Sequence, residues 1–207
     1  MVILNKAYDV EKMYTYLRGY LVGANMQNSL KALGFARQKH EGQTRKDGTP
    51  YIVHPLCMAC YAVALGIRDD NIVTTILLHD VCEDCGVELD NLPFNDTIKN
   101  AIKHVTITRF AWEEKPQTKA RYFAEMLESK EAVVCKAIDR YNNLSSMAGV
   151  MSTEAIVKNI KETDELLMPI LKQAKQKWPE LADLLFILRT NITSINNTLK
   201  EVYCKET

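Results

Sequence analysis

The sequence predicts an all-α fold, a single-domain bundle of about eight to ten helices. Three observations point to it. Apolar residues recur with helical periodicity along most of the 207-residue chain, the pattern of helices that bury one face. No convincing strand is found. Glycine, proline and asparagine collect at "EGQTRKDGTPY", "GVELDNLPF" and "TRFAWEEKPQ", and none of these breaks is long or biased enough to be an interdomain linker. A chain of this length hides roughly 70% of its unfolded surface, so one core within a single domain, residues 1–207, is expected.

The helices expected in order cover about 9–22, 27–41, 55–66, 70–84, 95–106, 118–129, 131–146, 153–176 and 179–202. The first two rest on periodicity and the second stops at the first break, which leaves His40 as a helix-end or surface residue. Pro55 suits the first turn of the third helix and disfavours the α conformation at His54 just before it. The fourth is apolar until "LLHDVCEDC", Leu77 to Cys85, and the next ends near His104, another helix-end or surface residue. "AVVCKAIDRYNNL", Ala132 to Leu144, is an apolar helical run that ends on charge. Trp178-Pro179 starts the last helix, which is expected to pack on the rest. Its Leu, Ile and Phe positions within 181–195 read either as core or as the contact surface of a homo-oligomer.

Composition excludes several classes. With 47% hydrophobic residues, 25% charged and a formal net charge of zero, the chain has neither the like-charge excess of a disordered tail nor the basic balance of a general nucleic-acid binder. No nucleic acid is expected as a partner. No stretch approaches the ~18 unbroken apolar residues of a membrane span, and "MVILNKAYDV" is too short in its apolar part for a secretory signal. Membrane partners are therefore not expected, a cytoplasmic location is, and the six cysteines read as reduced thiols.

Three segments carry chemistry. On a continuous helix at about 100° per residue, His79, Asp80, Glu83 and Asp84 fall within an arc of roughly 140°, while Leu78, Val81, Cys82 and Cys85 share the opposite, core-facing side. "RKDGTPYIVHP", Arg45 to Pro55, is a loop with a turn at Asp47-Gly48 that delivers His54 to a helix entrance. In the third segment Asp139 closes a buried run, with Asn143 one turn further on the same face. A buried acid there is costly unless it is coordinated or paired with Arg140 or a lysine. His54, His79, Asp80 and Asp139 together form a mixed imidazole and carboxylate set that suits Mn²⁺, Fe²⁺ or Zn²⁺ in a hydrolase.

Spaced H…HD…D on helices, this set resembles the pattern of the HD phosphohydrolase superfamily, which implies an HD-type bundle. A metal there would lower the pKa of water and polarise a phosphoryl oxygen, with Glu83 and Asp84 placed to orient or deprotonate that water. The resemblance is narrower still. "GQTRKDGTPYIVHP", "LLHDVCEDC" and "KAIDRYNNLSSM", in that order, resemble the hydrolase domain of the Rel/SpoT-homologue family, which removes the 3′-pyrophosphate of the guanine alarmones ppGpp and pppGpp. Weaker similarity runs through "HVTITRF" to "KNIKETDELLMPIL", so the motif-bearing core covers about residues 28–171, and the chain looks like a small stand-alone hydrolase.

The resemblance implies that His54, His79, Asp80 and Asp139 hold one Mn²⁺ ion and that Glu83 and Asp84 are catalytic. It further implies that Arg45 and Lys46 grip the nucleotide, Arg45 packed on guanine, with Asn143 and Ser146 near ribose and base. Guanidinium planes stack on bases and both cations pair with phosphate, which agrees with those roles. Two departures stand out. Tyr141-Asn142-Asn143-Leu144 replaces the family's usual Leu-His-Asn-Met type of run, and "ITRFAWEEKPQ" is unlike its Thr-Lys-Leu stretch, leaving open which of Arg109, Trp112 and Lys115 meets substrate.

Other readings keep the metal but change the substrate, to an adenine alarmone or the 2′-phosphate of NADPH. A zinc-stabilised binding module would use Cys57, Cys60, Cys82 and Cys85, whose paired CxxC spacing is that of a zinc ribbon. Both pairs, however, fall in expected helices without glycine-bearing knuckle turns. A catalytically dead regulator is disfavoured because every expected ligand and both acids are present.

Overall fold

The computed structural model describes residues 9–204. Met1 to Tyr8, the greater part of the segment considered above as a secretory signal, lies outside them. Among the described residues the structure is all-α, with short 3₁₀ and π turns and one isolated antiparallel bridge, Thr44 to Pro50. They fall into two compact units that divide between Thr106 and Ile107, at the edge of the "TRFAWEEKPQ" break.

The first unit holds α1 (Val10–Gly23), α2 (Gln27–Lys39), α3 (Val53–Ala64), α4 (Asp70–Leu78), the short α5 (Val81–Asp84) and α6 (Asp96–Val105). Asp9, Asp69 and Asn95 start α1, α4 and α6 by accepting hydrogen bonds from N–H groups of the first turn. At the start of α2, Met26 offers no such acceptor. Asp70 of α4 supplies it instead: its carboxylate accepts from Asn28 N at 2.9 Å, Ser29 N at 2.8 Å and Ser29 Oγ at 2.6 Å. A charge belonging to one helix thereby satisfies the orphan donors of another.

That arrangement makes α4 the centre of the unit. It packs on α2, α3 and α6, and every residue from Ile72 to Leu78 is buried. Ile76, Leu77 and Leu78 are wholly removed from solvent, each stabilising the fold by roughly 1.5–3 kcal/mol. The expected helix over 70–84 is not continuous, however. It stops at Leu78, and His79 and Asp80 form a turn before α5. His79 Nδ1 donates to Ile76 O at 2.9 Å, the carbonyl that a continuing helix would offer to Asp80 N–H.

The second unit holds α7 (Lys115–Glu125), α8 (Lys130–Ser146), α9 (Thr153–Glu162), α10 (Met168–Lys177) and α11 (Ala182–Tyr203). Helix α7 begins three residues before the expected 118, because Pro116 sits in its first turn, where the missing N–H is no loss, and Glu114 N–H donates to Gln117 Oε1. The single helix expected over 153–176 is interrupted by a π turn, Thr163–Leu167. Helix α11 packs on α8, α9 and α10 through Leu185, Leu188, Ile192, Asn196 and Leu199. Of the two readings of 181–195, the core one describes Leu181, Leu185, Leu188 and Ile192, whereas Phe186 and Ile187 stay exposed. Among the described residues no helix is long and apolar enough to cross a membrane.

Candidate metal centre

The loop ahead of α3 is a small hairpin. Tyr51 N–H donates to Gln43 O, Arg45 N–H to Thr49 O and Gly48 N–H to Arg45 O. Gly48 takes φ +83°, a left-handed conformation that glycine adopts without strain, and Asp47 Oδ1 accepts from Thr49 N and Oγ1. Arg45 and Lys46 stand at the tip, half-buried and exposed respectively. Beyond the hairpin His54 N–H donates to Tyr51 O, fixing His54 in the first turn of α3 with 4% of its surface exposed.

Opposite it lies the turn after α4. His54 Nε2 is 3.7 Å from Asp80 Oδ2, His79 Nε2 is 2.9 Å from the same oxygen, and the two imidazoles are 5.1 Å apart between centroids. One donor atom from each of His54, His79 and Asp80 lies within 4.8 Å of the others, a spacing that could hold a divalent metal ion. Local chemistry fits this. A carbonyl only accepts, so the His79 Nδ1 contact to Ile76 O places a proton on Nδ1, and in the neutral ring the lone pair then falls on Nε2, the nitrogen turned to the cluster. Both histidines are buried, while the Asp80 side chain keeps 22% of its surface, which leaves a path for solvent.

Glu83 and Asp84 follow on α5, both exposed. The helix is interrupted at His79-Asp80, yet both residues keep α-region backbone angles and Asp84 N–H donates to Asp80 O across the turn. Cys82 and Cys85 are only half-buried rather than wholly in the core. Cys85 Sγ lies 3.4 Å from His40 Nδ1 and 3.6 Å from Gln43 Nε2. Cys57 and Cys60 face Met13 of α1, and burial pushes both thiols up to about 11. Among the described residues the cysteines join no metal-spaced group, so the zinc-ribbon arrangement is not formed.

Asp139 lies in the second unit, on α8, and is 4% exposed. Its Oδ2 accepts from Lys136 Nζ at 2.7 Å and its Oδ1 from Asn143 Nδ2 at 2.6 Å. The pairing of this buried acid is thus with a lysine. Arg140 turns instead to Glu162 and the Asn159 side chain, and burial pulls its guanidinium below the usual range. Ser146 Oγ donates to the carbonyls of Asn142 and Asn143 at the exposed end of α8. Arg109 and Lys115 line a cavity of about 1030 Å³ within the second unit, together with Lys119, Lys158 and Lys161. Trp112 is 78% exposed and stacks on Phe110 at 4.8 Å.

Sequence reasoning missed Tyr51, His40 and Gln43. Tyr51 Oη donates to Asp80 Oδ2 at 2.5 Å, and burial, with Asp80 and Asp84 nearby, raises the phenol far above its ordinary value and keeps it protonated. His40, expected at a helix end or the surface, does cap α2 but is only 2% exposed and stacks on Tyr51 with centroids 4.7 Å apart. The available signal was a tyrosine three residues before His54 between two prolines. Nothing in the sequence marks His40.

A helical unit whose centre is a histidine from one helix start and a His-Asp pair from a turn has the makings of a known class of metal-binding domain. The family model described as HD domain matches residues 32–172, well over half of the chain, and the chain belongs to that family. Within it the chain is similar to the bifunctional (p)ppGpp synthase/hydrolase SpoT of Escherichia coli (strain K12), 26% identical over 170 residues, 79% of this chain and 24% of that protein. It is likewise similar to a GTP pyrophosphokinase of Streptomyces antibioticus, 32% identical over 166 residues, 76% of this chain and 19% of that one. A third relative is the guanosine-3′,5′-bis(diphosphate) 3′-pyrophosphohydrolase of Spiroplasma citri, 31% identical over 131 residues, 60% of this chain and 17% of its own. The chain therefore spans a quarter or less of the length of these relatives.

Proposed function

We propose that this HD-family phosphohydrolase removes the 3′-pyrophosphate of guanosine 3′,5′-bis(diphosphate), adding water to give GDP and pyrophosphate. The observation that carries the reading is the approach of His54, His79 and Asp80 within 4.8 Å. The names of the relatives supply the substrate. One Mn²⁺ ion is the proposed metal, held by these three with Asp139 as the fourth ligand, and when bound it would acidify water and polarise a phosphoryl oxygen.

Glu83 and Asp84 orient the attacking water and accept its proton. Arg45 packs on the guanine, Lys46 pairs with phosphate, and Asn143 and Ser146 contact the ribose and base. The substrate is a small nucleotide met in the cytoplasm. Arg109 and Lys115 stand in a cavity lined by three further lysines and by Glu113, Glu154, Glu162 and Glu165, so its charges nearly balance.

The test is a panel of nucleotides bearing a 3′-pyrophosphate, a 5′-triphosphate or a 2′-phosphate, incubated with Mn²⁺-loaded protein and resolved by chromatography. The expected result is GDP and pyrophosphate from the guanine 3′-pyrophosphate alone. Turnover confined to an adenine alarmone or to NADPH would keep the site and replace the substrate. No turnover of any member would reject the reading.

A further inference from the structure

Around the metal cluster the chain closes a ring of hydrogen bonds. Tyr51 N–H donates to Gln43 O at 2.9 Å across the hairpin. Gln43 Nε2 donates to Asp84 O at 3.2 Å. Asp84 N–H donates to Asp80 O at 2.8 Å, and Tyr51 Oη closes the circuit on Asp80 Oδ2 at 2.5 Å. Two residues of the loop that carries Arg45 and Lys46 are thereby joined to both ends of the turn that carries Asp80, Glu83 and Asp84. His40 backs the ring: it stacks on Tyr51 with planes 23° apart, and its Nδ1 lies 2.8 Å from Gln43 Oε1.

Asp80 Oδ2 is the oxygen nearest the two histidines. A carboxylate oxygen with one lone pair committed to a fixed hydroxyl presents the other in a fixed direction, and so coordinates with less loss of freedom. Removing that hydroxyl takes one restraint from the two side-chain torsions of Asp80. The ring also fixes which way α5 leaves the cluster, since Asp84 is held through both its N–H and its carbonyl.

We propose that Tyr51 is a positioning residue, whose hydroxyl aims Asp80 Oδ2 at the His54–His79 pair and locks the Arg45–Lys46 loop to the turn bearing Glu83 and Asp84. It touches neither substrate nor metal. The proposal rests on the reading that the cluster holds a divalent ion, and makes no use of which nucleotide is cleaved.

The test compares the wild-type chain with Tyr51→Phe, which keeps the ring on His40 and removes only the hydroxyl, and Tyr51→Leu, which removes the stack as well. Co²⁺ is titrated into each metal-free protein by calorimetry, its visible absorption spectrum is recorded, and thermal unfolding of the metal-free forms is measured beside them. Tyr51→Phe is expected to bind Co²⁺ about 10- to 100-fold more weakly, with displaced absorption bands and nearly unchanged metal-free unfolding. Tyr51→Leu should lose affinity and stability together. A Tyr51→Phe protein with wild-type affinity and spectrum would overturn the positioning role while leaving the metal reading intact. A wild-type chain that binds no Co²⁺, Mn²⁺ or Zn²⁺ would overturn both. Affinity lost only in proportion to lost stability would make Tyr51 a packing residue.

Discussion

Exchanging Glu83 for Gln, or Asp84 for Asn, separates holding a metal from using it. Both side chains are exposed on α5, and neither belongs to the group formed by His54, His79 and Asp80. Surface exchanges of this kind usually change stability by no more than about 0.5 kcal/mol. The effect on metal affinity follows from Coulomb's law. Residues four apart on a helical turn stand roughly 6 Å apart, and for side chains in solvent, at the dielectric of water, a unit charge and a divalent ion at that distance interact by about 1.4 kcal/mol, about tenfold in affinity. Loss of a general base costs about 10²- to 10⁴-fold in rate, or about 2.7–5.5 kcal/mol of barrier. Both variants should therefore purify with near wild-type Mn²⁺ and cleave at least about 10²-fold more slowly at saturating metal. Asp80→Ala should lose metal and activity together. Metal content by elemental analysis and single-turnover rate, measured on the same preparations, decide the matter. Metal lost in step with activity would make Glu83 and Asp84 ligands, and full activity in both would remove them from the reaction.

Asp70→Ala leaves two N–H groups of α2 without their acceptor, while the buried Ser29 hydroxyl keeps the main-chain carbonyl of residue 70 and Thr74 Oγ1. It should cost about 2–4 kcal/mol in urea unfolding and lower Tm by about 5–15 °C, with Asp70→Asn intermediate because one acceptor oxygen remains. A loss below about 0.5 kcal/mol would refute the capping role. Cys57 and Cys60, with thiols raised to about 11 by burial, should be roughly one part in a thousand thiolate at pH 8. Their alkylation by iodoacetamide, followed by mass spectrometry, should accelerate about tenfold per pH unit up to that value, and rapid labelling at pH 8 would contradict the burial seen here.

The parts of this structure that could be read from the sequence are those whose signal is local. Periodicity located the helices because each buries a stripe, and Asn95 before Asp96 or Ser152 before Thr153 marks a start in the residues themselves. His54, His79 and Asp80 were legible because their residue types are costly to bury for any ordinary purpose. The break at His79-Asp80 was not, since it depends on His79 reaching back to the Ile76 carbonyl, a choice the helical wheel does not contain. Pro116 falls within the break "TRFAWEEKPQ" by composition although it lies in a first turn, where the residue is tolerated. Tyr51, Gln43 and His40 act through partners 29, 41 and 45 residues distant, and no window of sequence holds both ends. Asp139 carried two sequence readings, ligand or partner of a basic residue. Its bond to Lys136 agrees with the second, and the ligand role rests on the proposed function.

The carboxylate that completes the start of α2 lies 42 residues along the chain from Asn28. Closing a loop of that length costs about 3 kcal/mol in chain entropy, so the first turn of α2 is finished only when α4 has docked. Helix ends ordinarily fray and trade their amide hydrogens with solvent quickly. Here Asn28 and Ser29 should instead exchange at the pace at which the first unit opens as a whole. A terminus that would otherwise be the loosest part of the helix becomes a reporter of cooperative opening, and a change anywhere in α4 that lifts it off α2 is felt first at those two amides.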